Sequence, residues 1–144
     1  DTKKPFLPNE AYHFSISHCE DYAAVIVSPV NRVGVDVEVI AGKVSLIKDK
    51  FLSAAEQSLL TALQHKHPAY HLQQLHTICW SIKESMFKWY GLGSVDFKKH
   101  LHIAAIDLHE NEFTAACTFI KEQSIAIRAH GLLFNNNVLS WLYT

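Results

Sequence analysis

Between Val33 and Val39 the chain reads Val-Gly-Val-Asp-Val-Glu-Val. A period of two belongs to a β-strand, whose successive side chains leave opposite faces. Four valines therefore share one face, and Gly34, Asp36 and Glu38 share the other. Valine suits a strand because its branched Cβ packs on a pleated surface. An ordinary half-exposed strand accounts for such a pattern. An ordinary strand is the commoner explanation, and a cation site is the sharper one: carboxylates at i and i+2 lie roughly 6–7 Å apart and can converge on one hard cation. Gly34 removes bulk beside them, so a ligand or another backbone can approach.

The stretches around this strand set the fold class. Residues 1–11 hold prolines and lysines and read as an extended segment. Residues 13–18 and 22–28 alternate and form a hairpin, with Cys19, Glu20 and Asp21 at its turn. The middle of the chain is helical. A short helix is expected over 44–52, and a longer one over 53–66 with Ser53 as N-cap and Glu56 closing a capping box. A third should carry Pro68 in its first turn, run to about Tyr90 and stop at Gly91 and Gly93. Residues 101–108, 112–119, 125–131 and 137–143 alternate again, separated by turn residues such as His109–Asn111 and Asn135–Asn137. The reading is an α+β fold, an antiparallel sheet packed against a long helix.

Composition narrows the function classes. A length of 144 residues with 49% apolar content supports one packed core, and a net charge of −1 argues against a nonspecific nucleic-acid binder. Cys19, Cys79 and Cys117 form no Cys-x-x-Cys pair, which points to reduced thiols and a cytoplasmic setting. No apolar run approaches the roughly 20 residues that span a bilayer, so no membrane partner is expected. The chain opens on Asp1 rather than methionine, which fits a fragment, a processed product or a chain whose beginning is missing.

A second constellation lies in Trp-Ser-Ile-Lys-Glu-Ser-Met-Phe-Lys-Trp-Tyr-Gly, residues 80–91. On a helix Trp80, Lys83, Glu84, Phe87 and Lys88 share a face. Core aromatics flanking a surface Glu84–Lys88 pair explain it. A third carboxylate for the cation, with two ammonium groups for phosphate oxygens, explains it too. The block Val-Gly-Val-Asp-Val-Glu followed by Trp-Ser-Ile-Lys-Glu-Ser-Met-Phe-Lys resembles the paired signature of the 4′-phosphopantetheinyl transferase superfamily. Phe51–Glu56 lies between them like the family's Phe-Ser-x-x-Glu element. Upstream, residues 4–8 and 14–21 resemble its Gly-Lys-Pro and Asn-x-Ser-His-Ser elements. Five blocks fall in order over about residues 3–93. The upstream blocks point to the larger, surfactin-synthetase-activating type, in which two similar halves form a pseudo-dimer around coenzyme A.

The resemblance implies residues 1–32 as the tail of a first half, which contacts coenzyme A, and residues 33–144 as a second half with the metal site and the long helix. It implies transfer of the 4′-phosphopantetheine arm of coenzyme A to a serine of an acyl or peptidyl carrier protein, with release of adenosine 3′,5′-bisphosphate. The activity would be that of a Mg²⁺-dependent holo-[acyl-carrier-protein] synthase. Asp36, Glu38 and Glu84 would be the metal ligands. Glu84 would also be the catalytic base, and Lys88 the catalytic cation beside the phosphates. Lys4, His18 and Lys83 would contact coenzyme A, Lys83 equally suiting an exposed helix position. Ser15 stands where the family has asparagine, Cys19 where serine is common, and Ser85 where alanine is usual. A catalytically inactive module that binds coenzyme A or a carrier is the alternative, and a nucleotide-directed phosphoryl enzyme a third. His67 and His71, at i and i+4, fit a solvated helix better than a zinc site. The 51–63 region serves either as a carrier-facing surface or as core.

Overall fold

The computed structural model describes residues 5–144, the side chain of Glu10 excepted. The hairpin forms as its alternation predicts, with β1 (His13–Cys19) antiparallel to β2 (Tyr22–Ser28). β3 (Val33–Val39) belongs to a second sheet. Four helices follow among the described residues: α1 (Gly42–Leu46), α2 (Lys48–Phe51), α3 (Ala54–Lys66) and α4 (Leu72–Tyr90). Then come β4 (Leu101–His109), β5 (Glu112–Ile120), β6 (Ser124–Phe134) and β7 (Asn137–Tyr143), an antiparallel meander. The second sheet has the order β3-β7-β6-β5-β4. The α+β class and the sheet-on-helix packing therefore hold.

Local chemistry explains most boundaries. Ser53 caps α3 through its hydroxyl, and Glu56 returns a hydrogen bond to the Ser53 N–H, the expected capping box. Gly91 ends α4 with φ 72°, a left-handed conformation that costs glycine little. Asn135 and Asn136, both at positive φ, make the tight β6–β7 turn. Two helical expectations need correction. The helix expected over 44–52 is two short helices meeting at Ile47, whose φ of −106° and ψ of 11° are not helical. Pro68 lies outside α4. The Tyr70 N–H bonds the His67 carbonyl and the Tyr70 hydroxyl donates to the Glu110 carbonyl, which holds residues 67–70 as a turn. His71 then takes the N-cap position, its N–H held by Gln74 Oε1.

The core lies between α4 and the long sheet. Leu75, Ile78, Ile82 and Met86 of α4 are fully buried, as are Leu101, Ala129, Val138 and Leu142 of the sheet. Phe51, Leu60 and Leu63 are buried as well, so the 51–63 region packs its large apolar side chains inward. β3 sits at the sheet edge against β7, with Val33 opposite Tyr143 and Val39 opposite Asn137. Its free edge would leave N–H groups unpaired. Instead the Val35 and Val37 N–H groups donate to the hydroxyls of Ser15 and Ser17 on β1, each at 3.1 Å. The hairpin thus docks on β3 through side chains, with Val33, Val35 and Val37 buried nearby.

The other face of β3 meets α4 at close range. A Cβ on Gly34 would lie 2.0 Å from the Ser85 carbonyl oxygen and 2.9 Å from the Trp89 nitrogen, both backbone atoms that cannot swing aside. Ser81 and Ser85 hydroxyls converge on the Ser140 hydroxyl at 2.7 and 2.6 Å, fixing the helix to β7. Gly34→Ala should therefore push α4 off the sheet and lower stability by about 1–3 kcal/mol, the usual cost of overpacking. Urea denaturation reads this directly, and an unchanged midpoint would show that the helix can retreat without loss.

Candidate active site

The contact at Gly34 brings the next two residues of that face under α4. Asp36 is almost wholly buried, and its Oδ1 receives the Lys88 ammonium at 3.0 Å. The Ser17 hydroxyl donates to the same oxygen at 3.3 Å while accepting the Val37 N–H. The other oxygen, Oδ2, is buried without a hydrogen-bond partner. Glu38 lies beside Asp36 on the strand, half-buried, and Glu84 reaches the pair from the helix.

The electrostatics follow from crowding like charges in a poorly hydrated place. Burial pushes Glu38 up to about 7, with the Asp36 charge, a hydrogen bond shared with Asp36 and the Glu84 charge adding to it; a hydrogen bond from the Trp80 side chain pulls the other way. Burial also pushes Glu84 up to about 7, helped by Asp36 and opposed by Lys88. Asp36 and Glu38 can share a hydrogen bond only when one is protonated. With both ionised, Asp36 Oδ2 has no donor.

The structure thus gathers Asp36, Glu38, Glu84 and Lys88. His18 stands exposed near the end of β1, next to Ser17. Lys4 lies outside the described residues. Lys83 is a correction. Its side chain is wholly buried, and its ammonium donates to the Phe51 carbonyl, Glu56 Oε1 and the Phe97 carbonyl at 2.5, 2.9 and 3.0 Å. Three donors meet three acceptors, so none is left for coenzyme A, and an exposed helix position is excluded too. Burial pulls this lysine's pKa down and Glu56 holds it up. His67 caps the end of α3 and His71 the start of α4, so neither lies within a helix. Cys79 and Cys117 are free, and burial pushes both thiols up, which makes them poor nucleophiles.

Among the described residues, no group of three or more His, Cys, Asp and Glu side chains is arranged as a cation cage. The ammonium of Lys88 lies against Asp36. The donor set nonetheless suits a divalent ion. It offers all-oxygen ligands, an orphaned buried oxygen on Asp36 and two carboxyls that burial and neighbouring carboxylate charge hold above the usual range.

Three contributors escape the sequence reading. Ser15 and Ser17 anchor β3, and Ser17 also steadies Asp36; two serines at i and i+2 on β1 were the available signal. Trp80, readable only as a core aromatic, bonds Glu38. Residues 32–140 match the model of a family described as the 4′-phosphopantetheinyl transferase superfamily. No curated protein matches the chain.

The raised carboxyls predict a pH dependence. Between about 4.5 and 7 the folded protein holds more protons on Glu38 and Glu84 than the unfolded chain does. Stability from these groups is therefore greatest below that window and falls as pH rises through it. His76, whose pKa burial lowers, acts in the opposite sense, so the comparison with Glu84→Gln isolates the effect. In chelator, wild type should lose more stability from pH 5.5 to 8 than Glu84→Gln does, as read by urea midpoints. Parallel curves would refute the crowding.

Proposed function

The chain belongs to the 4′-phosphopantetheinyl transferase superfamily, and we propose that it transfers the 4′-phosphopantetheine arm of coenzyme A to a serine of an acyl or peptidyl carrier protein. The single observation that carries this reading is the meeting of Asp36, Glu38 and Glu84 beside Lys88, each at the position the family's two motifs occupy. Transfer of this kind is attack by a serine oxygen on a pyrophosphate phosphorus, which asks chiefly for positioning and charge neutralisation.

Asp36, Glu38 and Glu84 would hold Mg²⁺. When bound, the ion supplies positive charge to the pyrophosphate oxygens. Glu84, at the edge of that site, would take the proton of the carrier serine. As the serine oxygen bonds to the pantetheine-bearing phosphorus, the bond to the bridging oxygen breaks. Adenosine 3′,5′-bisphosphate departs, and Lys88, partly open to solvent, offers an ammonium to its developing charge. His18 on the exposed strand end is assigned to a coenzyme A phosphate.

The larger, two-half type of enzyme is supported by the hairpin. Ile16, Val25 and Val27 lie on one face of it and are 46, 61 and 57% exposed. A contiguous apolar sheet face of that kind fits a second α+β half packed against it. Residues up to 32 would then belong with that half, and the metal site with the rest. Among the described residues no helix is long and apolar enough to cross a membrane, and free thiols favour the cytoplasm. The departure at Ser15 does not favour an inactive module, because its hydroxyl still bonds β3.

The test is incubation with coenzyme A, Mg²⁺ and an apo-carrier, followed by mass spectrometry. The carrier should gain one phosphopantetheine. Glu84→Gln should slow the gain by about 10²–10⁴-fold. Carrier binding without any mass gain would instead support a binding module.

A further inference from the structure

Lys83 places a charge where an apolar side chain would pack. Its surroundings are Phe51, Phe97 and the buried thiols, and it is fully buried between α4 and the sheet. Replacing a buried ion pair by apolar groups of like volume is commonly neutral or stabilising, so stability alone does not explain a lysine here. What the charge adds is direction. Apolar contact tolerates a helix that slides or turns, whereas three hydrogen bonds to one ammonium do not.

The acceptors are spread over the fold. Phe51 ends α2, Glu56 sits in the first turn of α3, and Phe97 lies in the segment after α4. Glu56 is itself fixed. Its Oε1 accepts the Ser53 N–H at 2.9 Å, and its Oε2 accepts the Ile103 N–H of β4 at 3.0 Å. The carboxylate therefore joins α3, α4 and the sheet at one point. Glu84 follows Lys83 directly and projects about 100° further round the helix. Any rotation of α4 about its axis moves the Glu84 carboxylate relative to Asp36 by the same angle.

We propose that the buried Glu56–Lys83 pair is a positioning device that sets the rotation of α4 and so aims Glu84 at Asp36 and Glu38. The proposal rests on the assignment of those three carboxylates as the ion-holding set. Neither member of the pair touches substrate or ion. Gly34 and the serine cluster fix how close the helix lies, and Lys83 fixes which way it faces.

The experiment uses Mn²⁺ as the probe, with binding measured by calorimetry on the whole chain without coenzyme A. Glu56→Gln combined with Lys83→Met removes both charges, so no lone charge is left buried. The double variant should unfold cooperatively yet bind Mn²⁺ at least about 10-fold more weakly. Its kcat for transfer should fall by a similar factor with KM for coenzyme A within about twofold. Unchanged Mn²⁺ affinity in the folded double variant overturns the proposal. If the double variant does not fold, Glu56→Asp, which keeps both charges but shortens the anchor by one methylene, decides between the same two outcomes. Failure of the underlying assignment looks different: wild type and Asp36→Asn would then bind Mn²⁺ alike, and the positioning proposal would fall with it. A wild type that binds Mn²⁺ but transfers nothing removes only the transferase reading, and the affinity comparison still stands.

Discussion

The architecture depends on how near α4 comes to β3. Only a residue without a side chain at position 34 lets the Ser85 carbonyl sit where a Cβ would be. That proximity brings the helix's charged residues within reach of the strand's, so that Lys88 can bond Asp36, and the Glu84 charge adds to the upward push that burial and Asp36 give Glu38. The same strand has its valines buried, and along its free edge hydroxyls of β1 complete its hydrogen bonding. β3 is thus held from three directions: β7 along one edge, Ser15 and Ser17 along the other, and the helix above.

Such support is what an unfavourable cluster requires. Three carboxyls in one half-buried place repel one another, and left to themselves they would part or remain protonated. Here they are carried on a strand and a helix whose separation is fixed by backbone contact and by a buried serine cluster. The repulsion therefore remains as an electrostatic demand for positive charge, which Lys88 answers in part. Charge stabilisation by a frame that need not reorganise is the most effective kind available to a phosphoryl-transfer site.

Much of this was legible in the residues, for identifiable reasons. The valine alternation names β3 and its two faces because a strand's period is rigid. Ser53 with Glu56, and Gly91, name helix ends because caps act within four residues. The pairing of Asp36 with Glu84 and Lys88 was legible only through the family resemblance that the two motifs carry together, since nothing local to either implies the other. Pro68 misled because its suitability for a first helical turn says nothing about the tyrosine beside it, whose bond to Glu110 comes from 40 residues away. Lys83 misled for a similar reason. A helical wheel places it beside Glu84 but cannot say that α2, α3 and the segment after α4 hold a carboxylate and two carbonyls waiting for an ammonium.

The strand order has a consequence for assembly. β4 to β7 are joined by short turns and can zip together from local neighbours. β3, which carries two of the acids, finds its ladder partner only in the final strand, so that a loop of about a hundred residues must close before the two meet. Slow, non-local closure of this kind is the entropically costly step of a folding reaction. On a ribosome, then, the acidic strand emerges about a hundred residues ahead of β7 and waits without its ladder partner until that strand has left the exit tunnel. The chemistry carried on β3 is completed by residues that contribute none of it.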